Sequence, residues 1–238
     1  MGNYRPICDV WILARPKVRY YGAYPNGFLE RARALLGITP YDALLHVCGG
    51  AARQYPGKPR GFGPSDKTLD LDPALEPDFV QAALEPLPAY GVYCDPVRQG
   101  QPLGWPAIIG DPPYTLEDAG KYAPGKAGTL PPPATALLAN MLRSVRPGGR
   151  VGLLHYVIPR PPREGAKFVA CVGVVVGYGN RGRFFTVFER LSTGGTHGAE
   201  SLEAHVEEGS VEGSQSVRGR GRTGHESRAP APLKGETR

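Results

Sequence analysis

Apolar and polar positions alternate in blocks along the first 190 residues. Phe28 to Gly37 (FLERARALLG) has helical spacing and a glycine stop, which predicts a short helix with Leu35 and Leu36 facing inward. Leu44 to Val47 is a short, mostly apolar run that ends in Cys48-Gly49-Gly50, the pattern of a buried strand entering a tight turn. Lys67 to Asp72 predicts a second strand closed by Pro73, and residues 74–84 predict a helix. Gly91 to Cys94 predicts a third strand ending at Asp95-Pro96, and Ala107 to Ile109 a fourth ending at Gly110-Asp111-Pro112. Ala134 to Val145 is helical in pattern and stopped by Pro147-Gly148-Gly149; Arg150 to Tyr156 follows as a fifth strand. Lys167 to Gly177 and Arg183 to Glu189 flank the polar turn 178–182, which predicts an antiparallel hairpin. Strands alternating with helices imply an α/β fold with a mostly parallel sheet covered on both faces. Sheets of that kind bind ligands beyond the carboxyl ends of their strands. Cys48-Gly-Gly, Asp70, Asp72, Asp95 and Asp111 all fall at such ends.

Composition divides the chain in two. After about Leu191 it is rich in Gly, Ser, Glu, Arg and Pro and has no aromatic residue, so 191–238 is expected to be a disordered low-complexity tail behind a folded domain of 1–190. The tail holds six of the 28 Lys and Arg and seven of the 22 Asp and Glu, so the net charge of +6 divides into +7 for the domain and −1 for the tail. A basic domain favours a polyanionic partner through long-range steering. Within the tail, Arg218-Gly-Arg-Gly-Arg222 has the form of a backbone-binding Arg-Gly segment, though a solvated linker explains it as well.

The cysteines at 8, 48, 94 and 171 lack the close spacing of a zinc site, and no metal is expected. A reducing cytoplasm is the simplest setting for them. No signal peptide is evident at the start of the chain. The longest apolar stretch, Phe168 to Tyr178, has 11 residues, too few for a membrane helix of roughly 18 or more.

The chemistry concentrates at Asp111-Pro112-Pro113-Tyr114. An exocyclic base amine has its lone pair drawn into the ring and is a poor nucleophile. A carboxylate and a carbonyl accepting its N–H groups would draw it toward tetrahedral geometry and stabilise the charge that develops on methyl transfer. Pro112 and Pro113 fix the turn and offer a carbonyl without a competing N–H, and Tyr114 offers a flat face for an extruded base. A chance Asp-Pro-Pro-Tyr turn is the competing explanation in a chain with 26 prolines.

At these four residues the chain resembles the S-adenosylmethionine-dependent amino-methyltransferases of nucleic acids, whose signature is Asp, Asn or Ser, then Pro-Pro, then Tyr or Phe. The Asp form is the one most associated with adenine N6 enzymes, and the chain is also similar to small phage or prophage methylases. The resemblance implies a Rossmann-like class I methyltransferase fold with an antiparallel C-terminal hairpin. It implies catalytic roles for Asp111, Pro112, Pro113 and Tyr114, and a cofactor turn at Cys48, Gly49 and Gly50. His46 stands where the family often has an acid, and Gly49-Gly50-Ala51 where it often has Gly-x-Gly. His46 reads as a packed strand residue, and Cys48 as turn packing rather than a nucleophile. Asp70, with Asp72 next in line, is expected at the cofactor ribose, while Asp72 also suits an N-cap before Pro73. Asp95 is expected at the cofactor adenine amine or as a turn residue before Pro96. The aromatic segment 19–27 lies where the family folds back toward the methionine carboxylate, and an entry loop explains it equally well. The stretch Thr115 to Pro133, with Lys121, Tyr122 and Lys126, is the candidate contact for nucleic acid, against a plain solvated loop.

The expected activity is adenine N6 methylation of DNA, with cytosine N4 as the near variant. DNA stands ahead of RNA as partner, and an RNA base methyltransferase shares the four-residue motif and the basic face. A non-catalytic nucleic-acid-binding protein with a degenerate methyltransferase fold and a small-molecule or protein N-methyltransferase complete the alternatives. Oligomeric state is left open.

Overall fold

The computed structural model describes residues 5–15, 24–54, 60–91, 104–122, 130–177 and 182–192. Eight strands form one sheet in the order β1-β7-β8-β6-β5-β2-β3-β4. They are β1 (Ile7–Leu13), β2 (Leu44–Val47), β3 (Lys67–Asp70), β4 (Phe79–Val80), β5 (Trp105–Gly110), β6 (Val145–His155), β7 (Ala166–Val176) and β8 (Arg183–Arg190). Helices α1 (Phe28–Leu36), α2 (Leu116–Tyr122) and α3 (Ala134–Ser144) accompany them. Strand β8 is antiparallel to both β6 and β7, and every other pairing is parallel. The chain moves outward from β2 to β3 and β4, then returns to the other side of β2 for β5 and β6. That reversal opens a crevice between β2 and β5 at their carboxyl ends. A mostly parallel Rossmann-like sheet with an antiparallel insertion between its sixth and seventh strands is the expected fold class.

The continuous apolar runs follow from burial on both faces of the sheet. Along β2, Leu44 enters the core beneath α1, whereas Leu45 and Val47 enter the core beneath α3. Strand β5 repeats the alternation, with Ala107 and Ile109 on the first side and Ile108 on the second. The first core centres on Phe28, whose ring lies 5.1 Å from Phe185, 5.5 Å from Tyr24 and 6.2 Å from Trp11. Each such fully buried apolar side chain contributes roughly 1.5–3 kcal/mol. Helix α1 ends at Gly37, where φ of 69° suits glycine and the freed N–H donates to Arg33 and Ala34 carbonyls.

Several sequence expectations need correction. Residues 74–84 form no α-helix. A single 3-10 turn at Pro73–Leu75 ends at Glu76 in the left-handed region, and the chain then extends into β4 beside β3. Pro77 has no N–H to continue a helix, and the Asp72 carboxylate captures the Ala74 N–H at 3.0 Å. Asp78 then pins the extended chain to β3, accepting from Thr68 N at 2.9 Å and Lys67 Nζ at 3.1 Å. Beyond Gly91, the strand expected at Gly91 to Cys94 lies outside the described residues, and among the described residues β4 stands beside β3. Pro147-Gly148-Gly149 does not stop α3; the helix ends at Ser144, and the three residues lie within β6. Two elements escaped the pattern. Strand β1 sits at a sheet edge with only Trp11 and Leu13 buried, so its apolar run lacks a clear period, and α2 lies in the stretch read as loop. Among the described residues, no helix is long and apolar enough to cross a membrane.

Candidate active site

The crevice holds a cavity of about 350 Å³. Six of the expected site residues line it: Cys48, Gly50, Asp70, Asp72, Asp111 and Pro113. The sheet register brings them together. Val47 stands beside Leu69 and Gly110, so β2, β3 and β5 end at the same level. Backbone bonds hold the exits in place: Asp111 N donates to Val47 O at 3.2 Å, and Gly49 N donates to Leu69 O at 3.3 Å.

The turn after β2 is built on two left-handed residues, Cys48 at φ 56° and Gly50 at φ 53°. Gly49 between them is closely packed, since a Cβ would lie 3.1 Å from His46 Cβ and 3.2 Å from its carbonyl oxygen, so a side chain would require a small shift of that neighbour. At Gly50 the position of a Cβ is open space beside the cavity, so a ligand can approach the backbone there. Burial, with help from the Asp70 and Asp111 charges, pushes the Cys48 thiol far up, so it is neutral and no nucleophile.

Asp70 organises this corner. One carboxylate oxygen accepts from Gly50 N at 3.0 Å and the other from Asp72 N at 3.1 Å. Each oxygen keeps further acceptor capacity toward the cavity. Asp72 is the N-cap of the 3-10 turn and also borders the cavity.

Asp95 lies outside the described residues. The wall that follows the neighbouring strand is Gln81-Ala82-Ala83-Leu84, directly after β4. Asn140 of α3, itself buried, fixes it by donating to the Ala83 carbonyl at 2.8 Å and the Glu85 carbonyl at 2.6 Å. Sequence reasoning missed this wall because a two-residue strand has no periodicity. Leu130 and Pro131 to Pro133 line the cavity too, as does Ala119 of α2. Thus part of the stretch 115–133 faces the cavity, while Lys126 and the side chains of Lys121 and Tyr122 lie outside the described residues.

At the other end of the crevice, the Asp111 side chain is only 6% exposed. The Tyr114 hydroxyl donates to Asp111 Oδ1, and Arg183 Nη1, on β8, donates to the Tyr114 oxygen at 3.1 Å. The same Arg183 nitrogen is 4.0 Å from Asp111 Oδ2. Burial pushes the Asp111 carboxyl above the usual carboxylate range, and Arg183 and the tyrosine hydroxyl pull the other way. The Tyr114 ring packs edge-on against His155, with centroids 5.2 Å apart, and lies 4.4 Å from the Tyr156 ring. Tyr114 therefore points its hydroxyl inward at Asp111 rather than standing clear of it. Gly49, Pro112 and Tyr114 do not line the cavity itself. Arg183 was not expected, because its strand joins the site only through its antiparallel place in the sheet.

His46 is fully buried, 5.0 Å from the stacked Phe62 ring, with Nδ1 3.2 Å from the Tyr24 hydroxyl and Nε2 3.2 Å from Asp66 Oδ2. It is a packed strand residue away from the cavity.

No protein-family model and no curated protein matches the chain. Solved structures do. TrmN from Thermus thermophilus is similar at 19% identity and a TM-score of 0.45, with 71% of this chain and 50% of that chain covered. The N-methyltransferase NodS from Bradyrhizobium japonicum WM9, in complex with S-adenosyl-L-homocysteine, is similar at 13% identity and a TM-score of 0.40, with 69% and 88% covered. The likeness is one of fold. The chain spans half the length of the TrmN chain it matches.

Proposed function

We propose that the chain is an S-adenosylmethionine-dependent methyltransferase acting on an exocyclic base amine of nucleic acid, adenine N6 of DNA first and cytosine N4 next. The observation that carries this reading is the presence of a buried acceptor carboxylate, Asp111, and a glycine turn with an acid, Gly50 and Asp70, on one cavity at the sheet's switch point.

The cavity suits the cofactor on chemical grounds. Its volume of about 350 Å³ lies within the range of small-molecule sites. The apolar surface of Leu69, Leu71 and Ala82 to Leu84 suits a flat base, and the Asp70 carboxylate beside it suits ribose hydroxyls. Missing side-chain bulk at Gly50 leaves backbone accessible to an extended amino-acid moiety. S-adenosylmethionine would supply the electrophilic methyl group, its S–CH3 bond breaking as the N–CH3 bond forms, with S-adenosylhomocysteine leaving and the surplus amine proton passing to solvent.

The chain's own residues supply orientation and charge. Asp111 would accept one amine N–H, and a carbonyl of the Pro112-Pro113 turn the other, drawing electron density back to nitrogen and stabilising the positive charge that develops there. Tyr114 now donates to Asp111 Oδ1, so its ring can serve as a stacking face for an incoming base only when the hydroxyl leaves that oxygen, which adds to the acceptor capacity open to the amine. Cys48 stays protonated and takes no part in proton transfer. Positioning supplies most of the acceleration in such a reaction.

The test uses the wild type and Asp111→Ala, each expressed in a bacterium that lacks adenine methylases. Modified nucleosides in purified DNA and RNA are then quantified by mass spectrometry. N6-methyladenine or N4-methylcytosine in DNA that vanishes with the variant supports the proposal and identifies the base. A methylated base confined to RNA moves the substrate to RNA. No methylation in either, with no cofactor binding by calorimetry, leaves a binding protein and overturns the reading.

A further inference from the structure

A carboxylate removed from water stays charged only where hydrogen bonds or a counter-charge replace its hydration. The Asp111 side chain is withdrawn from solvent, and among the described residues its ion-pair partner is Arg183. Arg183 opens β8, and because β8 is antiparallel, its first residue lies where β6 ends. Residues close in space here are thus 69 positions apart in sequence for Tyr114 and Arg183. One guanidinium serves both members of the motif. It lies 4.0 Å from Asp111 Oδ2, donates to the Tyr114 hydroxyl at 3.1 Å, and sits 6.0 Å from the Tyr114 ring centre.

Among the described residues, the other groups around Asp111 carry no positive charge. Cys48, from the turn after β2, is a neutral thiol, and Asp70, from the end of β3, is an acid. Tyr114 is held protonated by burial and by the nearby Asp111 charge. His155, at the end of β6, has its basicity lowered by burial, and Tyr156 beside it is a phenol. Helix α2 contributes Ala119, and the segment 130–133 contributes Leu130 and three prolines.

The geometry points to Arg183 as a positioning residue for the acceptor, holding Asp111 as the carboxylate that an amine requires and keeping a partner for the Tyr114 oxygen when that amine takes the tyrosine's place. Arg183 touches neither the methyl group nor the amine in this role. It acts through Asp111 and Tyr114, so the inference rests on the methyl-transfer reading for its purpose, while the Arg183–Asp111 coupling is testable without it.

The first measurement is a carbon-13 NMR titration of aspartate carboxyls in the full chain, with Asp111 assigned by the loss of its signal in Asp111→Asn. Arg183→Gln is expected to raise the Asp111 midpoint by about 1–3 units, whereas Arg183→Lys keeps most of the wild-type value. Arg183→Met, which retains an apolar stem, replaces the Gln variant if that protein does not fold. An unchanged midpoint in a folded Gln or Met variant overturns the proposal. The second measurement is the pH profile of methyl transfer to adenine-containing duplex DNA. Arg183→Gln is expected to lose about tenfold in kcat for each unit by which its midpoint exceeds the working pH, to recover in alkali, and to keep the cofactor KM. A uniform loss at all pH values overturns the positioning role. A wild type that transfers no methyl group sinks the methyltransferase reading and leaves the titration to decide on Arg183.

Discussion

Asp66 and Asp111 are both aspartates withdrawn from solvent, and each has an arginine at hand, yet their surroundings drive them in opposite directions. The Asp66 side chain is fully buried. It is met by Arg33, by His46 Nε2 at 3.2 Å, by Leu44 N at 3.2 Å and by Gly63 N at 2.7 Å. Burial alone would push its carboxyl up, but these donors outweigh burial and hold it below the usual range. Among the described residues, Asp111 has one hydroxyl donor and a guanidinium at 4.0 Å, and burial prevails. A saturated carboxylate is a rivet, tying α1, β2 and the loop at 61–66 together. An under-saturated one has acceptor capacity left for a ligand, and it is the one that faces the cavity. The comparison teaches that the number of donors around a buried acid, more than burial or the presence of an arginine, separates a structural carboxylate from a reactive one.

Breaking the rivet should have the largest effect. Asp66→Ala leaves Arg33 and His46 buried without their acid and is expected to cost about 3–5 kcal/mol, read as a fall in denaturant midpoint. Retention of wild-type stability would show that the network contributes nothing. Asp111→Ala should behave in the reverse way, with stability changed little but methyl transfer reduced by roughly 10²–10³-fold, the scale on which a single stabilising group at a charged transition state acts. A severe loss of stability in that variant would make Asp111 a second rivet.

The pH dependence sharpens the contrast. A carboxyl held low in the native state contributes stability that is fully present above its unfolded value near 3.9, and loses it as pH falls toward the native value. Asp66 should therefore make the wild type progressively less stable in acid, and Asp66→Asn should flatten that limb of the curve. Asp111 has the opposite sign. Its native carboxyl binds a proton more tightly than the unfolded one, so its contribution is full in acid and declines as pH rises through the native value. Asp111→Asn, which does not titrate, should gain on the wild type as pH rises, and equal slopes for the two proteins would contradict the assignment.

Smaller effects belong to the turn and its acid. Asp70→Asn removes a charge-assisted acceptor from the expected ribose position and should weaken S-adenosylmethionine binding by about 1.5–3 kcal/mol in calorimetry. Unaltered affinity would move the ribose elsewhere. Cys48→Gly relieves a non-glycine residue at φ 56° and should stabilise the fold by about 1 kcal/mol at most, with methyl transfer retained. Loss of transfer there would mean that the thiol matters beyond its backbone.

The sequence by itself determined the strands with apolar runs, because β2 and β5 are buried on both faces and β7 is buried on one face and half-covered on the other. It also determined α1 with its glycine stop, the hairpin of β7 and β8, and the placing of Cys48, Asp70 and Asp111 at strand ends. These follow from local pattern, which the chain carries in consecutive residues. Tertiary structure alone decided the rest. Strand β4 exists because Asp78 bonds Thr68 across the gap, not because Phe79-Val80 has a period. The wall at 81–84 stands in the cavity because Asn140 reaches it from 55 and 57 residues away. Arg183 meets Asp111 only because an antiparallel strand returns its first residue to the end where the parallel strands finish. Such pairings join residues far apart in the chain, so their free energy depends on sheet order and leaves no trace in the spacing of neighbouring residues.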